Sequence, residues 1–194
     1  MGESPQFSLT ADLAYLGRVD SERTLTTSQF PADDGRASAT TREALAASAA
    51  AGSPADYLRA VAALCLDRVL VPVVATATRL GRTTGGLTGD KEAEMAVVLL
   101  QTADGRRAML AFTGMDSLQI WDQNARPVPV TLDIAARSAQ ADGAAALLVD
   151  FAGPHALVIE GDVLAELALG HRLVELAGGQ FGWAMSSEES SDDD

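Results

Sequence analysis

The residues most able to do chemistry in this chain are charged side chains on either side of one predicted turn. Glu92 and Glu94 precede an apolar run, and Arg106 and Arg107 follow the turn. Antiparallel pairing can bring these acidic and basic side chains together, and such an ion pair on a solvated face contributes at most about 1 kcal/mol. The alternative is a surface that recognises a partner. This candidate interaction patch comprises Lys91, Glu92, Glu94, Arg106, Trp121 and Arg126.

Groups for nucleophilic or metal chemistry are scarce. A hydrolase triad needs Ser or Cys, a His and a carboxylate, but the chain has only His155 and His171 and no G-x-S-x-G elbow. We expect His155 to be solvated in a turn and His171 to form a local hydrogen bond at a helix boundary. The single Cys, Cys65, excludes an internal disulfide and fits a small buried hydrophobe. We therefore predict no catalytic residue, no metal ligand and no cofactor, and we expect a protein that is not an enzyme.

A Gly-rich segment at residues 76–90 has some features of a phosphate-binding loop. A Walker loop requires Lys directly after its last Gly, then Ser or Thr, and then a helix. Here Asp90 separates Gly89 from Lys91, Glu92 follows, and the next segment is a predicted strand. Because the Asp90 carboxylate would also repel phosphate, we interpret the segment as a flexible connection between strands.

The charge of the chain excludes several classes of partner. Only 14 Lys and Arg residues stand against 27 Asp and Glu residues, which gives a formal net charge of −13. Nucleic acid binding needs clustered basic side chains, and an anionic membrane surface repels an acidic protein. The sequence also has no basic segment followed by an apolar run at its start, and no apolar stretch long enough to span a bilayer. We expect a soluble, cytoplasmic protein that binds neither nucleic acid nor membranes.

The elements that must position the interaction patch form a predicted β-hairpin. The apolar runs Met95–Leu100 and Ala108–Phe112 flank Asp104-Gly105, and an Asp-Gly pair between β-prone runs favours a tight turn. We predict two neighbouring central strands here. Further strands are predicted at 68–75, 126–130, 144–151 and 156–159. The prolines at 72, 127 and 129 remove amide donors, which indicates unpaired or edge positions.

Helices are predicted around these strands. Thr40 and Glu43 fit a capping box for a first helix, and Ser53 with Pro54 begins a second one. Asp116 is predicted to cap a short helix ending at residue 121. A helix at 132–141 follows, and a last helix from 162 is predicted to continue past His171 and Val174 to Gly178-Gly179.

These elements predict an α+β fold with a mixed, largely antiparallel sheet and helices packed mainly on one face. We assign residues 1–38 to a partly irregular N-terminal extension and residues 39–185 to one domain with a helical lead-in at 39–67. The last nine residues, 186–194, contain five acidic side chains and are predicted to be a disordered tail.

Several short motifs, in order and with matching spacing, resemble the N-terminal domain of the SseB family in its actinobacterial form. The motifs are RVLVPVV at 68–74, KEAEMAVV at 91–98, DGRRA at 104–108, AFT at 111–113, ARPVPV at 125–130, LVD at 148–150, AGP at 152–154 and VIEG at 158–161. FPADDG at 30–35 is similar to the lead-in before the domain in such proteins. The resemblance covers roughly residues 30–176 and implies an α+β domain with no catalytic residues to carry over.

Two functions follow as hypotheses. The first is a non-catalytic module that binds a protein partner or a second copy of itself. The alternative is a small-molecule sensor for amino acids or another metabolic regulator, which the family's link to serine sensitivity suggests. An enzyme would need a pocket with perturbed acidic or His side chains, which a sequence does not reveal. The family name is also used for a secretion translocator component, but this chain lacks the long apolar or heptad segments of such a component.

Overall fold

The computed structural model of the protein describes residues 13–16, 30–76 and 94–185, with the side chains of 13–16, 74–76 and 94–96 left out. The predicted flexible loop, apart from Thr76 at the end of β2, and the predicted acidic tail therefore lie outside the described residues. The described elements are β1 (Leu13–Leu16), α1 (Ala39–Ala51), α2 (Pro54–Cys65), β2 (Arg68–Thr76), β3 (Glu94–Val97), β4 (Leu99–Thr102), β5 (Arg107–Ala111), α3 (Met115–Trp121), β6 (Arg126–Thr131), α4 (Leu132–Ala141), β7 (Ala146–Val149), β8 (Leu157–Glu160), α5 (Gly161–Ala168), β9 (Arg172–Glu175) and β10 (Phe181–Ala184).

The described strands form three sheets. The largest has the order β1-β4-β5-β7-β8, and within it β5 and β7 are parallel while the other neighbours are antiparallel. A second sheet has the order β3-β2-β6, and β9 pairs with β10 in the third, all antiparallel. The predicted α+β class with a mixed, largely antiparallel sheet is confirmed. The segment assigned to the N-terminal extension supplies β1, which pairs with β4.

The predicted hairpin is present, but its first strand is divided at Val98. After the division, β4 pairs with β5 in the register Leu99↔Met109 around a turn in which Gly105 has a φ of 89°. Before it, β3 pairs with β2, which places Glu94 opposite Thr76. The predicted cross-strand pairing of Glu94 with Arg106 or Arg107 is therefore wrong, because the acidic end of the strand belongs to another sheet.

The prolines of β6 lie on the outer edge of the three-stranded sheet, as predicted. Leu70 of β2 exchanges two backbone hydrogen bonds with Phe112, so the backbone N–H of Leu70 points away from β6. Leu70 is registered with Pro129, whose nitrogen must likewise face away from β2, and Pro127 shares that side. Pro72 lies between Leu70, which pairs with Phe112, and residues 73–76, which pair with β3. Its missing N–H therefore interrupts neither of these two pairings.

The helix starts differ in detail from the predictions. The Oγ of Ser38, rather than that of Thr40, caps α1 by accepting from the Thr41 backbone N–H at 3.5 Å. Ser53 caps α2 as predicted, with 3.1 Å between its Oγ and the Asp56 nitrogen. Gly114 occupies the cap position of α3, so the prediction that Asp116 caps this helix is wrong.

The last helix is shorter than predicted. α5 ends at Ala168, Gly170 has a φ of 88°, and the chain then forms the β9–β10 hairpin. Val174 therefore lies in a strand. Gly adopts this left-handed conformation without a steric penalty, which ends the helix before the β-prone residues that follow. His171 lies just after the helix with its Nδ1 at 2.6 Å from the Glu166 Oε2, which confirms the predicted local hydrogen bond.

The large sheet separates two apolar cores. One face carries side chains such as Met109, Leu147 and Ile159, which pack with residues of α1, α2, α4 and α5. The opposite face packs against α3 through Leu118 and other apolar residues. Helices therefore cover mainly one face, as predicted.

Candidate functional site

The structure describes only part of the predicted interaction patch. The described part of the chain does not include Lys91, Glu92 or the side chain of Glu94. Arg106 forms an ion pair with Asp104 in its own turn, with 3.0 Å between Arg106 Nε and Asp104 Oδ2. Trp121 stacks on Phe112 with ring centroids 5.7 Å apart. Arg126 is exposed at the start of β6. The patch stays a prediction.

A buried polar network lies where the two parallel strands end. Thr113 follows β5 and Asp150 follows β7, and the carboxyl ends of neighbouring parallel strands meet at one edge of a sheet. Asp150 is 1% exposed and has a φ of 49°. Its carboxylate accepts hydrogen bonds from the Thr113 N–H at 2.9 Å, the Thr113 Oγ1 at 2.6 Å and the Ser117 Oγ at 2.5 Å.

Arg42 of α1 closes the network from the side. Its Nε donates to the Thr113 Oγ1 at 2.7 Å and lies 3.7 Å from the Asp150 Oδ2. Its Nη2 donates to the Asp116 Oδ1 at 2.6 Å. The guanidinium thereby connects a buried carboxylate with one on the surface.

Arg68, at the start of β2, binds the lead-in segment before α1. Its side chain is 6% exposed, and its Nε and Nη2 donate to the two Asp33 carboxylate oxygens at 2.8 and 2.9 Å. The same guanidinium donates to the backbone carbonyls of Arg36, at 2.7 Å, and Thr113. The hydrogen bonds from Arg68 lower the pKa of Asp33 below its ordinary value of 3.8. This fork-on-fork pair fixes residues 33–36 against the end of the sheet.

The geometry of this polar network is that of a structural element. A carboxylate has about four lone-pair sites, and those of Asp150 face three hydrogen-bond donors and the Arg42 cation. Asp150 is 1% exposed, so its carboxylate is closed off from solvent. Across the described residues, every buried side-chain polar atom has a hydrogen-bond partner, and no cluster of His, Cys, Asp or Glu could hold a metal ion.

Cys65 is also unsuited to nucleophilic chemistry. The thiol is buried at the end of α2, as the sequence predicted, and burial raises its pKa above the ordinary value. At neutral pH the side chain is therefore held as the thiol, whereas the thiolate is the reactive form.

A polar cleft of about 380 Å³ opens beside the network. Its charged lining residues are Asp34, Arg36, Arg42 and Asp116. Asp34 and Arg36 are largely exposed, with 3.7 Å between the Arg36 Nε and the Asp34 Oδ2. The cleft therefore offers both signs of charge to a small molecule.

An apolar groove of about 630 Å³ lies between α1, α2 and β9. Its lining residues are Thr40, Glu43, Ala44, Ala47, Arg59, Ala62, Ala63, Leu66, Leu173, Val174 and Glu175. Leu66, directly after α2, is 85% exposed. On the rim, Arg59 forms ion pairs with Asp56 at 2.8 Å and Glu175 at 3.0 Å.

Sequence reasoning missed both the network and the groove. One usable signal was present, since Asp150 is a charged residue at the end of the apolar run ALLV and Thr113 ends a similar run. The groove had no such signal, because its β9 wall was predicted as a helix.

The comparisons with known proteins identify a family and nothing finer. No helix within the described ranges is long and apolar enough to cross a membrane. No curated protein and no solved structure matches the chain. The sequence model of the SseB protein N-terminal domain matches residues 41–166, well over half of the chain. The match includes the strands that meet at the polar network and most of the groove, and the chain belongs to the SseB N-terminal domain family.

Proposed function

We propose that this protein is a non-catalytic module that binds a protein partner through the apolar groove. The observation that carries the proposal is the exposure of Leu66, 85%, at the mouth of a concave apolar surface. Covering a Leu side chain is worth about 1.5–3 kcal/mol, and apolar surfaces rimmed by polar groups are typical of interaction sites.

The lining of the groove supports the same function. Ala44, Ala47, Ala62 and Ala63 form the walls, and their small side chains leave space that a partner's large side chain can fill. Interfaces derive most of their affinity from a few such buried anchors surrounded by a polar rim. Here the rim includes Arg59, which is already held by acidic neighbours.

The chemistry of the polar residues also favours binding over catalysis. Asp150 is buried and accepts three hydrogen bonds, His171 is paired with Glu166, and Cys65 is buried. Each of these groups has a structural role that accounts for its position. Catalysis by any of these three groups would require that group to face a substrate.

The experiment is affinity capture with three forms of the full chain, followed by identification and purification of the captured protein. Leu66→Glu places a charge at the groove, and Leu169→Glu is the matched control because Leu169 is 68% exposed and lies outside the groove lining. We expect purified partner to bind the wild type and Leu169→Glu but not Leu66→Glu. A partner that binds all three equally, or a wild type that binds nothing and is monomeric by light scattering, contradicts the proposal.

A second candidate function is the binding of a small zwitterionic molecule, such as a free amino acid, in the polar cleft. The observation that favours it is the presence of Arg36 and Arg42 beside Asp34 and Asp116, which can bind a carboxylate and an ammonium group. Ligands that bind the native state raise the melting temperature. Thermal-shift measurements with amino acids should then give a shift that Arg36→Ala removes, and no shift with any of them contradicts this function.

A further inference from the structure

We infer that the occupant of the apolar groove is an amphipathic α-helix of a basic partner. This inference rests on the proposed function, because it names the kind of partner that the same groove takes. Three properties of the groove carry it: the volume, the secondary structure of the walls and the charge of the rim.

The volume fits the apolar face of one helix. A cavity of about 150 Å³ holds a benzene ring, so the 630 Å³ of the groove accommodate about four groups of that size. A helix docked in a groove presents anchors at i, i+3, i+4 and i+7, which is four side chains on one face. The number of anchors and the available space therefore agree.

The walls favour a helix over an extended segment. Most of the lining residues belong to α1 and α2, whose backbone N–H and C=O groups are hydrogen-bonded within the helices. An extended peptide needs backbone partners along its length, and these walls present mainly apolar side chains. A helix satisfies its own backbone and needs only apolar contact.

The charge at the rim favours a basic partner and disfavours a second copy of this chain. Glu43 is exposed on the rim. Among the described residues of the lining, Arg59 is the only basic one, and it is paired with both Glu175 and Asp56. Two copies with a formal charge of −13 each repel one another, whereas a partner with Lys or Arg beside its apolar face is attracted.

The test uses fluorescent peptides and the full chain. Two helical peptides carry the same four Leu anchors, with Lys on the flanking positions of one and Glu on those of the other, and a third has Lys flanks and a central Pro. Fluorescence anisotropy at low salt should show the Lys peptide binding about tenfold more tightly than the Glu peptide, with a smaller ratio at about 0.5 M salt. The Pro peptide should bind weakly, because Pro breaks the helix.

Variants assign the binding to the groove. Leu66→Glu should lower the affinity for the Lys peptide about tenfold, and Leu169→Glu should leave this affinity unchanged. Glu43→Gln should reduce the preference for the Lys peptide over the Glu peptide. Circular dichroism and melting temperatures verify that each variant is folded.

Each contrary outcome overturns a named part of the inference. Equal affinity for the Lys and Glu peptides would contradict the claim that the partner is basic. Equal affinity for the Lys peptide and the Pro peptide would contradict the claim that the occupant is a helix. Absence of binding by all peptides overturns the inference as a whole. In each of these cases, a captured protein partner whose binding depends on Leu66 would still support the proposed function. The failure of this inference is therefore distinguishable from the failure of the proposed function. Self-association that depends on Leu66 would identify a second copy as the occupant and also overturn the inference.

Discussion

The polar network and the apolar groove are built in opposite ways. In the network, Asp150, Arg42 and Arg68 have their hydrogen-bonding groups engaged by other residues of the chain. In the groove, Leu66 and Ala47 are exposed and Ala44 and Ala63 are partly exposed, so apolar surface remains open to solvent. The first region uses its chemistry to hold the fold, and the second retains surface that a partner can bury.

This difference indicates where to look for function in a protein whose charged residues attract attention first. A buried carboxylate at the end of a parallel strand is a familiar position for a catalytic group. Here the Asp150 carboxylate is buried and accepts three hydrogen bonds from Thr113 and Ser117, which indicates a structural role. Changes in the network should therefore alter stability, and changes in the groove should alter binding.

The largest effect is expected for Asp150→Ala. This substitution leaves the Thr113 N–H, the Ser117 hydroxyl and part of the Arg42 charge without their partner, and it should lower the free energy of unfolding by about 3 kcal/mol. Urea unfolding measures the loss. Asp162→Ala on the exposed start of α5 is the control and should cost under about 0.5 kcal/mol. Similar values for both would show that the network contributes little.

A smaller effect is expected for the ion pair between Arg68 and Asp33, which holds residues 33–36. Arg68→Met should lower the free energy of unfolding by about 2 kcal/mol, because its guanidinium donates to Asp33 and to two backbone carbonyls. In a double-mutant cycle with Asp33→Asn, the coupling energy should be about 1 kcal/mol. Additive effects would mean that the two side chains act independently.

The contribution of Asp33 should also depend on pH. Because Arg68 lowers the pKa of Asp33 in the folded state, the native protein binds this proton less readily than the unfolded chain. The stabilisation is present above the ordinary pKa of 3.8 and is lost as pH falls through the lowered value. The difference in unfolding free energy between the wild type and Asp33→Asn should be constant above about pH 5 and should shrink below about pH 4. A difference that does not change over this range would contradict the account.

The smallest effect on stability is expected in the groove. Leu66→Glu changes a side chain that is already exposed, so the free energy of unfolding should change by under about 0.5 kcal/mol. Thermal unfolding compares this variant with Leu169→Glu. A large loss for Leu66→Glu alone would show that Leu66 is covered by another part of the chain, and the comparison between the two regions would fail.

Local patterns were sufficient to predict much of the fold. A helix was predicted at 132–141, and the spacing of Leu132, Ala135, Ala136 and Ala139 matches the face that α4 buries. The Asp-Gly turn predicted the pairing of β4 with β5. Each of these signals lies within one element or across one short turn. The prediction failed after Ala168, where the apolar spacing of Leu167, His171 and Val174 fits a helix but Gly170 ends it.

The candidate sites were not predictable in the same way, because they assemble residues distant in sequence. Asp150 and Thr113 are 37 residues apart, and Arg42 and Thr113 are 71 apart. Their contacts depend on β5 and β7 lying side by side, and no local pattern specifies that strand order. The groove depends in addition on β9, whose strand was predicted as helix.

The most direct test of groove binding is a calorimetric titration of the captured partner into purified wild type, Leu66→Glu and Leu169→Glu. We predict one Kd for the wild type and Leu169→Glu, a Kd at least about tenfold higher for Leu66→Glu, and the same melting temperature for all three. The same Kd for all three proteins would contradict the account.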